Sequence, residues 1–308
     1  MTNINQKIFG SMKYGTYITI QNAILLGGVS ITAANYLTIQ EPAIRTAVEI
    51  AYIYNIYTLI GVYSHYTKDV TQVNELYKEY IKNYNKLNKM FDFDDPVQVY
   101  AMFKYLLYKG YISVDRKFKF DTKIARDIPS ILGTNIISGT GVCRHISNML
   151  TDILKDYGMN ATNVVVYSPE DYFKNIARLA YSLVGNHMIT LANKDNKEYF
   201  LDPTQERILL KSEDKKELVD DKGKFSIAKI CLPTLGRIGN FANMKKELKK
   251  NYDSISLEEA KNTVKSVEDL CSKNLDIFEN FYNENHELSE EINEKLMNIP
   301  KRKFLSLK

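Results

Sequence analysis

The chain has no tryptophan, and its 308 residues include only three cysteines, Cys143, Cys231 and Cys271. An odd number without close pairing excludes a disulfide framework and argues against a structural zinc site. A Cys231–Cys271 bridge stays open for an exported chain. Neither sign of charge dominates: 41 basic side chains against 37 acidic ones leave +4. That balance, with no arginine-rich run and no basic–aromatic interleaving, marks no nucleic-acid surface. No nucleotide-binding glycine loop, metal-ligand spacing, internal repeat or low-complexity tract is present. The expectation is therefore no cofactor, no metal and no nucleic-acid partner. What remains is ordinary core-forming material: 44% hydrophobic with 25% charged residues excludes wholesale disorder. The length allows one large domain or two small ones.

Two long uncharged stretches stand near the N-terminus, between Lys13 and Glu41 and from Ile50 to Thr67. By length they can span a bilayer as a helical hairpin within residues 16–67. Gln21, Asn22, Ser30, Thr32, Asn35 and Asn55 dilute both, so a soluble helical packing element is an equal reading. Lys7 and Lys13 ahead of the apolar part resemble a signal peptide, but no small-x-small cleavage site follows. A cytoplasmic or membrane-associated chain is expected ahead of a secreted one.

Three regions are expected along the sequence. Residues 1–90 read as helical. Residues 91–210 carry the chemistry. Residues 211–308 read as a charged, mostly helical extension, with Lys211–Lys224 as a solvated loop or helix face. Inside the middle region, Asp92, Asp94, Asp95 and Pro96 signal a helix start, and Val97–Tyr108 forms a helix ended by Gly110. From Cys143, apolar Ile146, Met149, Leu150, Ile153 and Leu154 recur at helical spacing until Gly158. Asn163–Tyr167, Met188–Ala192 and Glu198–Leu201 read as strands, the last two joined by a turn at 193–196. Ser168–Gly185 is an insert, with the character of a lid or substrate-binding loop.

Three residues in this region suit one reaction. Cys143 follows Ser-Gly-Thr-Gly-Val at a helix start, where free N–H groups and the helix dipole favour a thiolate. The glycines let a substrate approach the sulfur, and the Cys143 N–H can serve as an oxyanion donor. His187 would pair with the thiolate and protonate a leaving amine, and Asp202 would fix the imidazole tautomer. Singly each has a plainer role: a buried small hydrophobe, a structural strand histidine, a turn aspartate before proline. Arg144 is read chiefly as a surface ion-pair partner and His145 as structural or exposed. Asn186 is read as a cap or hydrogen-bonding group near the site. His65 and His286 are read as incidental.

Gly-Val-Cys143-Arg, the apolar helix, Tyr157-Gly-Met-Asn-Ala161 and its strand, Asn-His187, and Tyr-Phe-Leu-Asp202-Pro-Thr together resemble the transglutaminase-like superfamily over about Val97 to Thr204. The resemblance implies an α+β, papain-like fold, with the nucleophile helix packed on a small antiparallel sheet. It also implies Cys143 as nucleophile, His187 as base and Asp202 as orienter. The chain departs from the family pattern: Met188-Ile189 replace the frequent tryptophan after the histidine, and no Pro-Ala-Arg follows the helix-ending glycine. The implied function is cleavage or exchange of amide bonds in a protein or peptide through a Cys143 thioester, with hydrolysis ahead of cross-linking. The alternative is a catalytically silent binding or assembly module of the same fold, and a third reading makes the N-terminal hairpin primary. Arylamine N-acetyltransferase chemistry ranks low, because no Arg-Gly-Gly precedes the cysteine.

Overall fold

The computed structural model describes residues 68–120, 133–167, 185–228 and 243–298. The apolar stretches within 16–67, the insert from Ser168 to Val184, and Cys231 with its bridge lie outside them, as does His65.

Helix α1 spans Lys68–Met90, and α2 spans Pro96–Lys109. The start of α2 follows from its sequence: Asp95 Oδ1 accepts the Val97 N–H at 2.7 Å, and Gln98 Oε1 accepts the Asp95 N–H at 3.0 Å. This reciprocal cap precedes a proline at the first helical position, where no N–H is needed. Gly110 ends the helix at φ 81°, a left-handed position that glycine adopts without strain. Next come a two-residue strand β1 (Lys119–Phe120), a short α3 (Thr134–Ile137), β2 (Thr140–Gly141) and the helix α4 (Cys143–Asp156), which begins at Cys143.

Six strands then form a closed barrel: β3 (Asn160–Tyr167), β4 (His187–Lys194), β5 (Lys197–Asp202), β6 (Arg207–Lys211), β7 (Glu217–Asp220) and β8 (Gly223–Ile227). Each pairs antiparallel with the next, and β8 returns to β3 through Val166↔Ile227 and Tyr167↔Ser226. Side chains alternate between the two faces of a strand. One buried cluster draws on every strand: Val164 and Val166, Ile189 and Leu191, Phe200, Leu209, Leu218, and Phe225 with Ile227. Those residues line the barrel interior, each contributing on the order of 2 kcal/mol by leaving water. Below the short β3–β8 seam, Met244 from the helical stretch 243–248 meets the Val165 N–H with its sulfur at 3.3 Å.

The outer face of the barrel packs on helices. Ala161, Ala192, Tyr199, Leu201 and Ile208 join a second core built by α1, α2, α4 and the C-terminal helices α5 (Leu257–Lys273), α6 (Leu275–Glu284) and α7 (His286–Asn298). A two-residue strand β9 (Asp253–Ser254) runs parallel to the start of β5. Helix α5 lies on α2, and α7 lies on α1. Among the described residues no helix is long and apolar enough to cross a membrane.

The papain-like core expected from the resemblance is corrected here. The sheet does not stop at Asp202 as a small antiparallel platform for one helix; it continues through β6, β7 and β8 and closes on itself. Lys211–Lys224 was expected as a solvated loop or helix face, yet it supplies two of the closing strands. The physical reason is that charged residues in this stretch also point inward. Lys211 shares the parity of Leu209 and meets Glu198 at 2.8 Å inside the barrel, both side chains nearly inaccessible. An alternation with charges on both faces does not read as a strand.

Candidate functional site

The loop that leads into Cys143 is shaped by two glycines. Gly139 has φ 81°, and a Cβ there would stand 2.6 Å from the Lys117 carbonyl oxygen. A Cβ on Gly141 would stand 2.6 Å from Ile136 Cδ1. The loop is thereby pressed against the 115–117 turn and α3, and the parallel pairs Lys119↔Thr140 and Phe120↔Gly141 tie it down. Val142 is the extended residue before α4, and its N–H donates to His145 Nδ1 at 3.1 Å. With Nδ1 accepting, the His145 proton resides on Nε2 and the ring is neutral. His145 is thus fully buried and braces the turn that delivers Cys143, itself half-buried.

His187 opens β4 and Asp202 closes β5. Both share the inward parity of Ile189 and Phe200, so they lie at one end of the barrel interior. His187 Nε2 and Asp202 Oδ2 are 2.7 Å apart, with side chains 4% and 0% exposed. The other carboxylate oxygen, Oδ1, accepts the N–H groups of Thr204 at 3.0 Å and Gln205 at 3.1 Å. The Asp202-Pro203 turn therefore uses one oxygen for its own backbone and offers the other to the imidazole. That leaves His187 Nδ1 as the ring nitrogen not claimed by Asp202, and the ring lies near enough to Cys143 for each group to shift the other's ionisation.

The electrostatics follow from these contacts. Burial alone would lower the affinity of His187 for a proton, but hydrogen bonds to Asp202 and Cys143, and the charges of both, outweigh it and raise its pKa to about 10. Burial pushes the Cys143 thiol up; the hydrogen bond and charge of His187, the Met188 backbone N–H and the Arg144 guanidinium pull it further down, below its ordinary value. Both shifts point to a thiolate–imidazolium pair backed by a carboxylate. Cys271 provides the contrast: burial, with Glu268 nearby, pushes its thiol up to about 12.

The structure thus brings all three residues expected from the sequence into one chain of contacts. Asn186 extends the strand ladder, its N–H on the Val166 carbonyl at 3.0 Å, and His286 lies in the helical layer, stacked on Tyr282. Sequence reasoning missed the groups that hold the site in place. Ser147, one turn beyond Cys143, donates to the Met188 carbonyl at 2.7 Å, and Thr190 Oγ1 donates to the Ser147 carbonyl at 3.1 Å. Thr151 reaches Asn163 at 2.8 Å and Thr190 at 3.2 Å. This polar seam fixes α4 against the strand that carries His187. Helix α2 grips the other side through a stripe at four-residue spacing. Tyr100 donates to the Asp202 carbonyl at 3.3 Å, Lys104 pairs with Glu206 at 3.0 Å and with Glu268 at 2.7 Å, and Tyr108 donates to the Pro203 carbonyl at 3.1 Å. The spacing of that stripe was visible in the sequence; its partner turn was not.

Ser147→Ala is expected to cost about 1 kcal/mol by leaving the Met188 carbonyl unpaired. It should also slow Cys143 alkylation several-fold, because the Met188 N–H that steadies the thiolate is no longer held. Urea unfolding and iodoacetamide labelling of the same variant check both effects.

Among the described residues no three His, Cys, Asp or Glu side chains gather as a metal-ligand group. No family model, curated protein or solved structure matches this chain.

Proposed function

We propose that the chain is a cysteine enzyme that cleaves or exchanges amide bonds of a protein or peptide through a thioester on Cys143. Hydrolysis is favoured over cross-linking because water is always available as the acceptor. The observation that carries this reading is the 2.7 Å contact between the nearly inaccessible His187 and Asp202, with the imidazole electrostatically coupled to a cysteine at a helix start. The reaction class is that of the transglutaminase-like superfamily. The support for it is the order and contacts of the three residues, not the fold.

In this mechanism the Cys143 thiolate attacks the carbonyl carbon, and the oxyanion takes the Cys143 N–H as one donor. The His187 imidazolium then protonates the departing amine as the C–N bond breaks, leaving a thioester and a neutral imidazole. Water attacks the thioester, His187 takes its proton, and the carboxylic acid leaves as the thiolate–imidazolium pair re-forms. Asp202 holds the ring in the tautomer that keeps Nδ1 toward the sulfur throughout. A silent binding module would gain nothing from a buried, ionised trio, and the coupling of Cys143 to His187 counts against it.

The test is acyl-enzyme trapping. Exposure to p-nitrophenyl acetate at pH 6.5 should place one acetyl group on Cys143, read by intact and peptide mass spectrometry, and Cys143→Ala should take none. Acetylation no faster than that of a free thiol, or equal reaction at Cys271, would sink the reading.

A further inference from the structure

Arg207 and Asp220 share the inward parity of Leu209 and Leu218, and their side chains are each 3% exposed. Arg207 Nε meets Asp220 Oδ2 at 2.6 Å, and Nη2 closes a second contact with Oδ1. A buried ion pair is a poor route to stability, because the desolvation of two charges commonly cancels their attraction. Its surroundings account for it better. The guanidinium lies 4.5 Å from the centre of the Phe225 ring, and Phe225 meets the His187 ring edge-on at 5.6 Å. Arg207 Nη1 donates to Gln205 Oε1 at 3.3 Å, and the Gln205 N–H is one of the two amides that hold Asp202 Oδ1. Arg207 is also the cross-strand partner of Asp202, and the Tyr100 hydroxyl touches the carbonyl oxygens of both. One guanidinium therefore backs the wall behind the imidazole and the turn behind its carboxylate.

We propose that Arg207, locked by Asp220, is a positioning residue that holds the His187 ring and the Asp202 turn in place for the thiol, an inference that rests on the Cys143 chemistry proposed above. A planar fork fixed on an aromatic face has one orientation, where an apolar side chain of similar volume has several. The ion pair thus supplies geometry rather than stability.

The double variant Arg207→Met/Asp220→Asn removes both charges together, so neither is stranded. The asparagine oxygen stays available to the Lys222 and Gly223 N–H groups that Asp220 Oδ1 now accepts. Two readouts are taken beside a urea unfolding curve. One is the downfield proton NMR signal of the hydrogen-bonded His187 Nε2–H, assigned by its loss in His187→Ala. The other is the rate of Cys143 alkylation by iodoacetamide at pH 6.5. The expected result is a cooperatively folded protein whose Nε2–H signal is broadened or lost and whose alkylation is slowed about threefold, the net effect of one pKa unit: about tenfold less thiolate, each about threefold more reactive. A folded double variant that keeps both the signal and the rate overturns the proposal. If the double variant does not fold, Arg207→Lys decides: the charge stays but the flat stack is gone, so an unchanged signal overturns the proposal and a broadened one upholds it. Failure of the thiol chemistry itself would show separately, as wild-type Cys143 alkylating no faster than a free thiol, while the Nε2–H signal still decides the role of Arg207.

Discussion

In His187→Ala, alkylation of Cys143 at pH 6.5 is expected to fall about tenfold, and toward alkaline pH the variant is expected to overtake the wild type. The crossing follows from two opposed terms. Without the imidazolium, burial dominates and the thiol returns to its ordinary value of about 8.5 or above, so roughly 1% or less is thiolate at pH 6.5. The wild-type thiol sits lower because His187, with the Met188 N–H and the Arg144 guanidinium, outweighs burial. Its thiolate is more abundant but intrinsically less nucleophilic, since reactivity falls about threefold for each unit of acidity gained. At low pH the abundance wins; at high pH both thiols are ionised and the more basic one reacts faster. Rate–pH profiles that never cross, or that coincide, would show that His187 does not set the ionisation of Cys143. Turnover of any amide substrate should disappear in the same variant, because nothing remains to protonate the leaving amine.

The site was more legible in the sequence than the fold around it, for a reason that individual residues make clear. Cys143, His187 and Asp202 each carry a local signature: a glycine loop before an apolar helix, a histidine opening a strand, an Asp-Pro turn. The expected bounds of α4, β4 and β5 lie within a few residues of those observed, because their buried faces are apolar and their ends are marked by Gly158, the 193–196 turn and Pro203. The closing strands carry no such signal. Arg207, Lys211 and Asp220 face inward and are neutralised by partners on other strands, and no reading of one segment shows a pairing with another. Closure itself rests on Val166↔Ile227 and Tyr167↔Ser226, contacts between residues some sixty positions apart. Ser147, Tyr100 and Phe225 escaped for the same reason, since each acts through a neighbour distant in sequence.

The most severe change expected of a near-isosteric substitution is Asp202→Asn. In many enzymes an asparagine can orient a catalytic histidine by turning its oxygen toward the ring. That solution is closed here. The oxygen at the Oδ1 position is claimed by the Thr204 and Gln205 N–H groups, two donors that an amide nitrogen cannot satisfy. The new NH2 must therefore point at His187 Nε2 and donate to it, which drives the ring proton to Nδ1 and leaves no lone pair toward Cys143. Turnover is expected to drop roughly 10³–10⁴-fold by this tautomer reversal, with the turn intact and the fold retained. Asp202→Ala separates the two duties of the carboxylate. It frees both amides and takes the carboxylate away from the buried imidazolium, which keeps only Cys143 as a partner, at a cost of about 3–5 kcal/mol near neutral pH. The pH dependence has a fixed sign. His187 binds its proton more tightly folded, at about 10, than unfolded, at about 6.5. The stabilisation that its partners provide is therefore complete below about pH 6.5 and is lost as pH rises toward 10. The stability gap between wild type and Asp202→Ala should accordingly be widest near pH 6 and narrow steadily toward pH 10, as read from urea unfolding across that range. A gap that widens with pH would mean that Asp202 does not share a proton-dependent contact with His187, and the trio would lose its orienting member.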